Sequence, residues 1–244
     1  MKKLIIVLII SFLFIQPVKA KGVIDEKLLS DTLLTAIDPA ISLAVADYYG
    51  YSKQYGLYDS TIKKIKRIEQ GGYHFIVTVE VQTFEAAHNP PYGKETIKLD
   101  VNPLQIKSLS FKHKGDKEEK EVHKFYKKAL SDIQKSFRLK LRSYNKYNRK
   151  QLHYFAEKNP ENESLANIVA EIITKELTPD VTPPYKNVIN PVTYIKGKHG
   201  YILFKKKDGT NIVYKVNNQA GQWKVESTES KQGKVMEQNL LWYM

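Results

Sequence analysis

Residues 75–82 read FIVTVEVQ, and this stretch decides the fold class that the sequence predicts. Phe75, Val77, Val79 and Val81 occupy every second position, with mostly polar residues between them. A period of two is that of a β-strand with one buried face, because successive side chains point to opposite sides of a sheet. We therefore predict a strand here, with the three valines in a core.

The segments around this strand extend it into an antiparallel sheet. Residues 96–101 and 106–113 also alternate between apolar and polar side chains. Residues 61–68 favour a bulged strand, although their isoleucines also fit one face of a helix. Residues 86–93 are predicted to be a loop, because the two consecutive prolines in this segment cannot donate the hydrogen bonds of a strand ladder.

A helix precedes these strands. Apolar residues recur at helical spacing across residues 26–49, and Gly50 suits the end of the helix. Asp38 can cap a new helix that begins at Pro39, so we predict either two short helices or one kinked helix. A helix lying across an antiparallel meander indicates an α+β fold of the cystatin or NTF2 kind.

The C-terminal part repeats this order in shorter form. Residues 163–177 have the pattern of an amphipathic helix, and Asp208-Gly209 has the composition of a hairpin turn. Strands are predicted at 192–196, 201–206, 211–216 and 222–227, and residues 240–243 should pack back on the fold. The chain then divides into a leader (1–20), an N-terminal α+β module (21–115), a basic helical segment (116–160) and a C-terminal α+β module (161–244).

The segment between the two modules is strongly basic. Residues 124–150 contain ten Lys or Arg and one acid, Asp132, and apolar residues from Val122 to Leu141 follow helical spacing. Such a helix can lie on an anionic membrane surface or bind a phosphate polymer of the cell wall. Alternatively, its apolar stripe packs on one of the sheets while its charges are simply solvated. The candidate polyanion-binding residues are Lys124, Lys127, Lys128, Lys135, Arg138, Lys140, Arg142, Lys146, Arg149 and Lys150.

The N-terminus has the composition of a cleavable signal peptide. Lys2 and Lys3 precede an apolar run at residues 4–15, and residues 18–20 read VKA, which predicts a new N-terminus at Lys21. Cleavage would lower the formal net charge from +13 to +10 by removing three lysines. The chain has no cysteine, which excludes disulfides, thiolate metal sites and a lipid-bearing cysteine. With no later segment judged apolar enough to span a bilayer, we expect a secreted protein, retained at the envelope by charge if at all.

The loop that contains the two prolines carries the best candidate ligand site. Glu85 and His88 place a carboxylate and an imidazole three residues apart, a combination suited to acid/base chemistry near neutral pH. Alternatively, these polar groups satisfy the loop backbone locally. If a pocket lies between the helix and the sheet, the candidate ligand-binding residues are Tyr48, Tyr49, Tyr58, Asp59, Glu85, His88, Asn89 and Tyr92.

Several chemistries have no support in the sequence. It contains no glycine-rich phosphate loop, no Gly-x-Ser-x-Gly nucleophile motif and no His-Glu-x-x-His zinc motif. The remaining histidines show no spacing that converges on a metal, and we interpret them as surface or edge residues. We therefore expect no catalytic residue, metal or cofactor, and the predicted export makes nucleic acid an unexpected partner. These histidines are His74, His113, His123, His153 and His199.

Three short segments of the sequence together resemble a known family. They are YYG at 48–50, QYGLYD at 54–59 and TFEAAHNPPYG at 83–93. This set resembles the domain of unknown function 3888, which occurs in exported proteins of Gram-positive spore-forming bacilli, over approximately residues 28–114. The family has no assigned reaction or ligand, so the resemblance implies no functional residue.

Three hypotheses of function follow. The preferred one is a non-catalytic binding module for an envelope polyanion, a peptide or another exported protein, through the basic segment and the proline-containing loop. The second is an NTF2-like small-ligand receptor or enzyme, in which Glu85 or Asp59 shares acid/base duty with His88. The third is a cystatin-like inhibitor or chaperone of an envelope peptidase, by analogy of element order.

Overall fold

The structure is a computed structural model, and it describes residues 25–244. The predicted signal peptide, residues 1–20, lies outside the described residues. Within residues 25–244 the fold is mixed α+β, with four α-helices and two antiparallel sheets. The predicted fold class is therefore confirmed at this level.

The first sheet is built by residues 54–115. Strand β3 is central, because β1 and β2 pair with one of its edges and β4 pairs with the other. β5 completes the antiparallel meander beyond β4. The elements of this part are α1 (Glu26–Tyr49), β1 (Gln54–Tyr55), β2 (Thr61–Arg67), β3 (Phe75–Glu85), β4 (Asn89–Asn102) and β5 (Gln105–Gly115).

The valines that predicted β3 are buried in the core of this sheet. Val77, Val79 and Val81 are at most 2 % exposed, and their neighbours Ile97 and Leu99 on β4 are fully buried. The C-terminal end of α1 lies on the same face, since Tyr48 stacks on Phe111 of β5 with ring centroids 4.5 Å apart and Tyr49 hydrogen-bonds to Glu95 of β4. The strand pattern thus identified the buried face correctly.

Helix α1 is a single helix that runs through Pro39, so of the two predicted alternatives the structure contains one helix and not two short helices with a restart at Asp38. Instead of capping a helix, the Asp38 carboxylate accepts a hydrogen bond from the Tyr55 hydroxyl at 2.5 Å. Ile37 and Ile41 are buried on either side of the proline. Tertiary packing of an apolar face outweighs a local helix breaker here.

Helix α1 is also long and apolar enough, by length and composition, to cross a membrane. The expectation that no segment after the leader reaches this threshold was therefore wrong. The apolar composition has a structural reason from Leu34 onward, because that part of the helix contributes to the protein core. Its buried residues are Leu34, Ile37, Ile41, Ala44, Val45 and Ala46.

The predicted loop at residues 86–93 is largely part of strand β4. A short 3-10 turn, Ala86–His88, ends at Asn89, where the strand begins. The pairing with β3 shifts between Thr83, opposite Gly93, and Glu85, opposite Asn89. The two prolines lie in the bulge that this shift creates, where no ladder hydrogen bond is required of them.

The second sheet has the strand order β6-β7-β8-β9-β10, and every pair in it is antiparallel. The four predicted strands and the Asp208-Gly209 turn are confirmed, and Gly209 has the positive φ of 91° that favours glycine. The predicted tail also packs back, since the Lys186 N–H donates to the Leu240 carbonyl. The strands are β6 (Asn145–Tyr147), β7 (Ile189–Lys196), β8 (His199–Lys205), β9 (Thr210–Gln219) and β10 (Gln222–Gln232).

The basic segment is not one helix, and this part of the prediction was wrong. Helix α2 (Lys117–Ser136) ends where Arg138 adopts a left-handed φ of 55°, and β6 then joins the edge of the second sheet. A capping box between Asn148 and Gln151 begins helix α3 (Arg149–Lys158). Helix α4 (Glu163–Ile172) follows and continues as a π-helical turn, Ile173–Leu177.

The apolar stripe of α2 packs on the second sheet. Leu130 and Ile133 are buried in one cluster with β7, β8 and β9, and Phe125 is buried in another with Ile189 and Leu240. The predicted alternative, in which the stripe packs on a sheet, is therefore what the structure contains. The division of the chain into the predicted modules stays a prediction.

Candidate functional site

Glu85, at the end of β3, is an ion-pair partner rather than half of an acid/base pair. Its carboxylate lies 2.6 Å from the Lys53 ammonium, also contacts the Lys150 ammonium, and is 3.5 Å from the Tyr51 hydroxyl. Burial raises the pKa of Glu85, but the two lysines outweigh it and hold the pKa below the usual value. At neutral pH, Glu85 is therefore an anion with bound cations.

The His88 side chain has different neighbours. Its Nδ1 lies 2.6 Å from the Tyr58 hydroxyl, and its ring packs on Phe84 with centroids 4.2 Å apart. The His88 carbonyl accepts a hydrogen bond from the Tyr92 hydroxyl, while Asp59 is exposed in a separate 3-10 turn. The pairing of His88 with Glu85 or Asp59 that the enzymatic hypothesis required is therefore not formed.

A polar cluster that the sequence did not predict as a site lies under the end of α1. Glu95, fully buried on β4, accepts hydrogen bonds from the Tyr49 hydroxyl at 2.6 Å and from the Thr83 hydroxyl at 2.9 Å. His113 bridges Glu95 and Glu119, with its Nδ1 3.1 Å from Glu95 and its Nε2 2.8 Å from Glu119. We call these five residues the Glu95 cluster.

The electrostatics of the Glu95 cluster favour a charged histidine. Burial lowers the pKa of His113, but the hydrogen bonds and charges of Glu119 and Glu95 outweigh it and raise the pKa above its usual value. His113 lies on the edge strand β5, which agrees with its interpretation as a surface or edge residue, but its side chain is only 15 % exposed and faces two carboxylates. The sequence contained a signal for a buried carboxylate, because Glu95 lies at every-second-residue spacing with Ile97 and Leu99 and therefore on the inward-facing side of β4.

The Glu95 cluster has a structural role. It connects the end of α1, three strands of the first sheet and the start of α2 through one buried carboxylate. Across residues 25–244 there is no group of three or more His, Cys, Asp or Glu side chains arranged to hold a metal. We therefore assign no metal to these acids.

A basic stripe runs along the exposed side of α2. Lys120, Lys124, Lys127 and Lys135 are exposed and, at 100° per residue, lie opposite the buried apolar stripe. With a rise of about 1.5 Å per residue the stripe is about 22 Å long. None of these four lysines has an ion-pair partner among residues 25–244.

The acids of α2 do not neutralise this stripe. Asp132 points to Lys205, and Glu119 contacts His113. Glu118 and Glu121 lie in the first turns, before Lys124, and Glu121 pairs there with Lys117. From Lys124 to Lys135 the outer face therefore carries positive charge without an acid. The sequence-predicted Lys128 differs from the stripe residues because it pairs with Glu237.

Further cations continue this surface past the end of α2. Arg138, Lys140 and Arg142 are exposed on the connection to β6. The Lys231 ammonium donates to the Ser136 carbonyl at 3.2 Å, and the Lys196 ammonium donates to the Ser143 hydroxyl at 3.1 Å. We refer to the stripe together with these five residues as the basic surface.

The last two predicted basic residues lie elsewhere. Arg149 and Lys150 line a cleft of about 640 Å³ between the first sheet and helices α3 and α4, where Glu85 also lies, while Lys146 is exposed on β6. Of the predicted ligand-binding residues only Glu85 lines this cleft, although Tyr49 belongs to the Glu95 cluster and Tyr48 packs against it. Asn89 donates to the Ala86 carbonyl, a local role.

Comparison with known proteins identifies the first part of the chain. Residues 29–114 match the model of the family described as "Protein of unknown function (DUF3888)". This match confirms, over α1 and the first sheet, the resemblance to this family that the three short segments predicted. No curated protein and no solved structure matches the chain.

Proposed function

We propose that this protein, whose first sheet matches a family without an assigned activity, is an exported non-catalytic protein that binds an anionic polymer of the cell envelope through the basic surface. The observation that carries the proposal is the α2 stripe of lysines without ion-pair partners, about 22 Å long, which continues into a basic connection. A phosphate polymer is the matching partner, because its repeating charges can meet several lysines at once.

The packing of α2 favours a polymer over a membrane. A helix that inserts into a bilayer interface needs a free apolar face, and Phe125, Leu130 and Ile133 are at most 4 % exposed. Without apolar insertion, the attraction of α2 to the envelope depends on charge alone, and salt weakens such attraction strongly.

The predicted signal peptide supports placing the protein where such polymers occur. Export, cleavage after Ala20 and release are proposals that rest on residues 1–20 of the sequence. A secreted protein with a net charge of +10 would be concentrated at an anionic wall without an anchor.

Neutralising the basic surface should abolish most of this binding. The K124Q/K127Q/K135Q/R142Q variant of the chain from Lys21 should bind poly(glycerol phosphate) roughly 700-fold more weakly at low salt, since each of the four basic residues contributes about 1 kcal/mol near an anionic surface. Binding is measured by biolayer interferometry on the immobilised polymer. In about 1 M salt, where the Debye length is about 3 Å, both proteins should bind negligibly.

The matched control removes the same charge from the first sheet. The K64Q/K66Q/K98Q/K107Q variant changes four exposed lysines that have no ion-pair partner within residues 25–244. It should retain most of the binding if the basic surface is the site. Equal losses in the two variants would mean that net charge alone governs retention and would contradict the proposal.

The order of helix and strands suggests a second role. A helix followed by an antiparallel meander in residues 26–115 supports a relationship to cystatin-like or NTF2-like folds, which we propose on element order alone. The cystatin-like alternative is an inhibitor of an envelope peptidase. Capture of one peptidase from culture supernatant, unaffected by the four substitutions in the basic surface, would favour it.

A further inference from the structure

The cleft of about 640 Å³ combines an apolar wall with a cationic end. Its volume lies within the range of about 300–1,000 Å³ that small-molecule sites occupy, and such sites are frequent between packed modules. One side is formed by residues 51–54 and by the end of β3, and the other by α3 and α4. None of the α2 stripe residues lines the cleft, so a ligand site in the cleft does not depend on polymer binding by the basic surface.

The cationic end is built around a buried lysine. The Lys53 side chain is 5 % exposed, and its ammonium lies 2.6 Å from Glu85 and 5.1 Å from the centre of the Tyr49 ring. Glu85 is shared with Lys150, so one carboxylate faces two ammonium groups. Arg149 adds a further cation at the cleft, and no ion pair involves it among residues 25–244.

The residues that line the cleft include three Lys or Arg side chains and two carboxylates, those of Glu85 and Glu157. Glu157 lies 3.3 Å from His153, one turn earlier on α3. The end that contains Lys53, Arg149 and Lys150 therefore carries excess positive charge. Since the Lys53 ammonium has three N–H donors and donates to a single carboxylate oxygen, it can accept a further anion as a partner.

The apolar lining of the cleft is extended. Phe84 contributes to it from the β3 side, and the helix side presents aliphatic groups from Ala166 on α4 to Ile173 in the π-helical turn, a length of about 10 Å at 1.5 Å per residue. An apolar chain placed here would be removed from water along much of its length, which is favourable in proportion to its buried area. The aliphatic residues are Leu152, Ala166, Val169, Ala170 and Ile173.

We propose that this cleft binds a single-chain anionic amphiphile. Its carboxylate or phosphate head contacts Lys53, Lys150 and Arg149, and its alkyl chain lies along α4. A cationic amphiphile is disfavoured, because Glu85 already has two ammonium partners. A free anion without a chain would leave the apolar wall in water and bind weakly.

Binding of four probes tests the recognised chemistry. Dodecanoate and dodecyl phosphate, below their micellar concentrations, should bind with one site per chain in isothermal titration calorimetry. Dodecyltrimethylammonium, with the same tail and opposite charge, should bind about tenfold or more weakly. Inorganic phosphate, which has the charged head but no alkyl chain, should also bind about tenfold or more weakly than dodecyl phosphate.

Substitutions locate the binding in the cleft. A170W places an indole in the cleft from an exposed position and should weaken dodecanoate binding about tenfold or more. N167W on the same helix is the matched control, because Asn167 is exposed and does not line the cleft. R149Q/K150Q should cause a similar loss through the head group, as a hydrogen bond to a charge is worth about a factor of ten.

The results that would overturn the proposal are distinct from a failure of polymer binding. Equal affinity for dodecanoate and dodecyltrimethylammonium, or unchanged dodecanoate affinity in A170W, would show that the cleft is not this site. Inorganic phosphate as effective as dodecyl phosphate would exclude a role for the chain. The K124Q/K127Q/K135Q/R142Q variant should bind dodecanoate normally, which separates the two sites.

Discussion

Replacing Asp132 with alanine is expected to lower the free energy of unfolding by about 3–5 kcal/mol, because it leaves a buried ammonium without its counter-ion. Lys205 is 2 % exposed, and its ammonium lies 2.7 Å from Asp132. The same carboxylate oxygen accepts hydrogen bonds from the Asn211 side chain and from the Lys234 N–H, both at 3.0 Å. Urea unfolding followed by circular dichroism measures the loss.

A surface ion pair supplies the control for this result. Lys215 and Glu229 pair across β9 and β10 at 3.3 Å, but both side chains are more than 40 % exposed. E229A should therefore cost less than about 1 kcal/mol. A D132A loss as small as that of E229A would mean that Lys205 reaches solvent and that the network does not hold α2 on the sheet.

The pH dependence provides a second check on Asp132. Burial raises its pKa, but the hydrogen bonds from Lys205, Asn211 and the Lys234 N–H outweigh it and lower the pKa to about 2. The stabilisation is thus present above the unfolded pKa of 3.8 and is lost as pH falls through about 2. Between pH 4 and pH 2 the wild type should lose more stability than D132A, so the two unfolding curves should converge.

The fold was predictable where one local pattern determined the packing. The alternation at Val77, Val79 and Val81 identified both β3 and its buried face, and Asp208-Gly209 identified the hairpin between β8 and β9. Prediction was wrong at the two prolines of β4, because a bulge accommodates them through a register shift that depends on the partner strand. At Pro39 the local sequence left two alternatives open, and packing across the helix favoured one continuous helix over two short ones.

The sites were less predictable because their partners are distant in the sequence. Glu85 was identified as a candidate, but its partners Lys53 and Lys150 lie 32 and 65 positions away, so its pairing depends on the tertiary fold. The basic composition of residues 124–150 was evident from the sequence. Helix α2 ends at Ser136, and this end determines which basic residues form the stripe and which line the cleft. No proline or glycine marks the end in the sequence.

The Glu95 cluster carries the second large effect, and E95A is expected to lower the free energy of unfolding by about 3–5 kcal/mol. The substitution removes a fully buried carboxylate that accepts from the Tyr49 and Thr83 hydroxyls, and leaves these hydroxyls with longer contacts, 3.2 Å to each other and 3.4 Å from Thr83 to the Gly93 carbonyl. Each unsatisfied buried group costs about 1–3 kcal/mol, so the loss should exceed that of one hydrogen bond. The matched control is E80A on the neighbouring strand, where Glu80 makes partly exposed pairs with Lys63 and Lys94 and should contribute about 1 kcal/mol or less.

The pH dependence of E95A separates the loss of charge from the loss of packing. Because the folded pKa of His113 is raised, its contribution to stability is fully present below the unfolded value of 6.5 and is lost as pH rises through the folded pKa. Removing Glu95 removes one of the two carboxylates that raise this pKa, so the decline in stability above pH 6.5 should be shallower in E95A than in the wild type. A parallel decline would assign the effect to packing alone. A shallower one would mean that the charge pair between Glu95 on β4 and His113 on β5 itself contributes to stability, next to the Tyr49 hydroxyl at the end of α1.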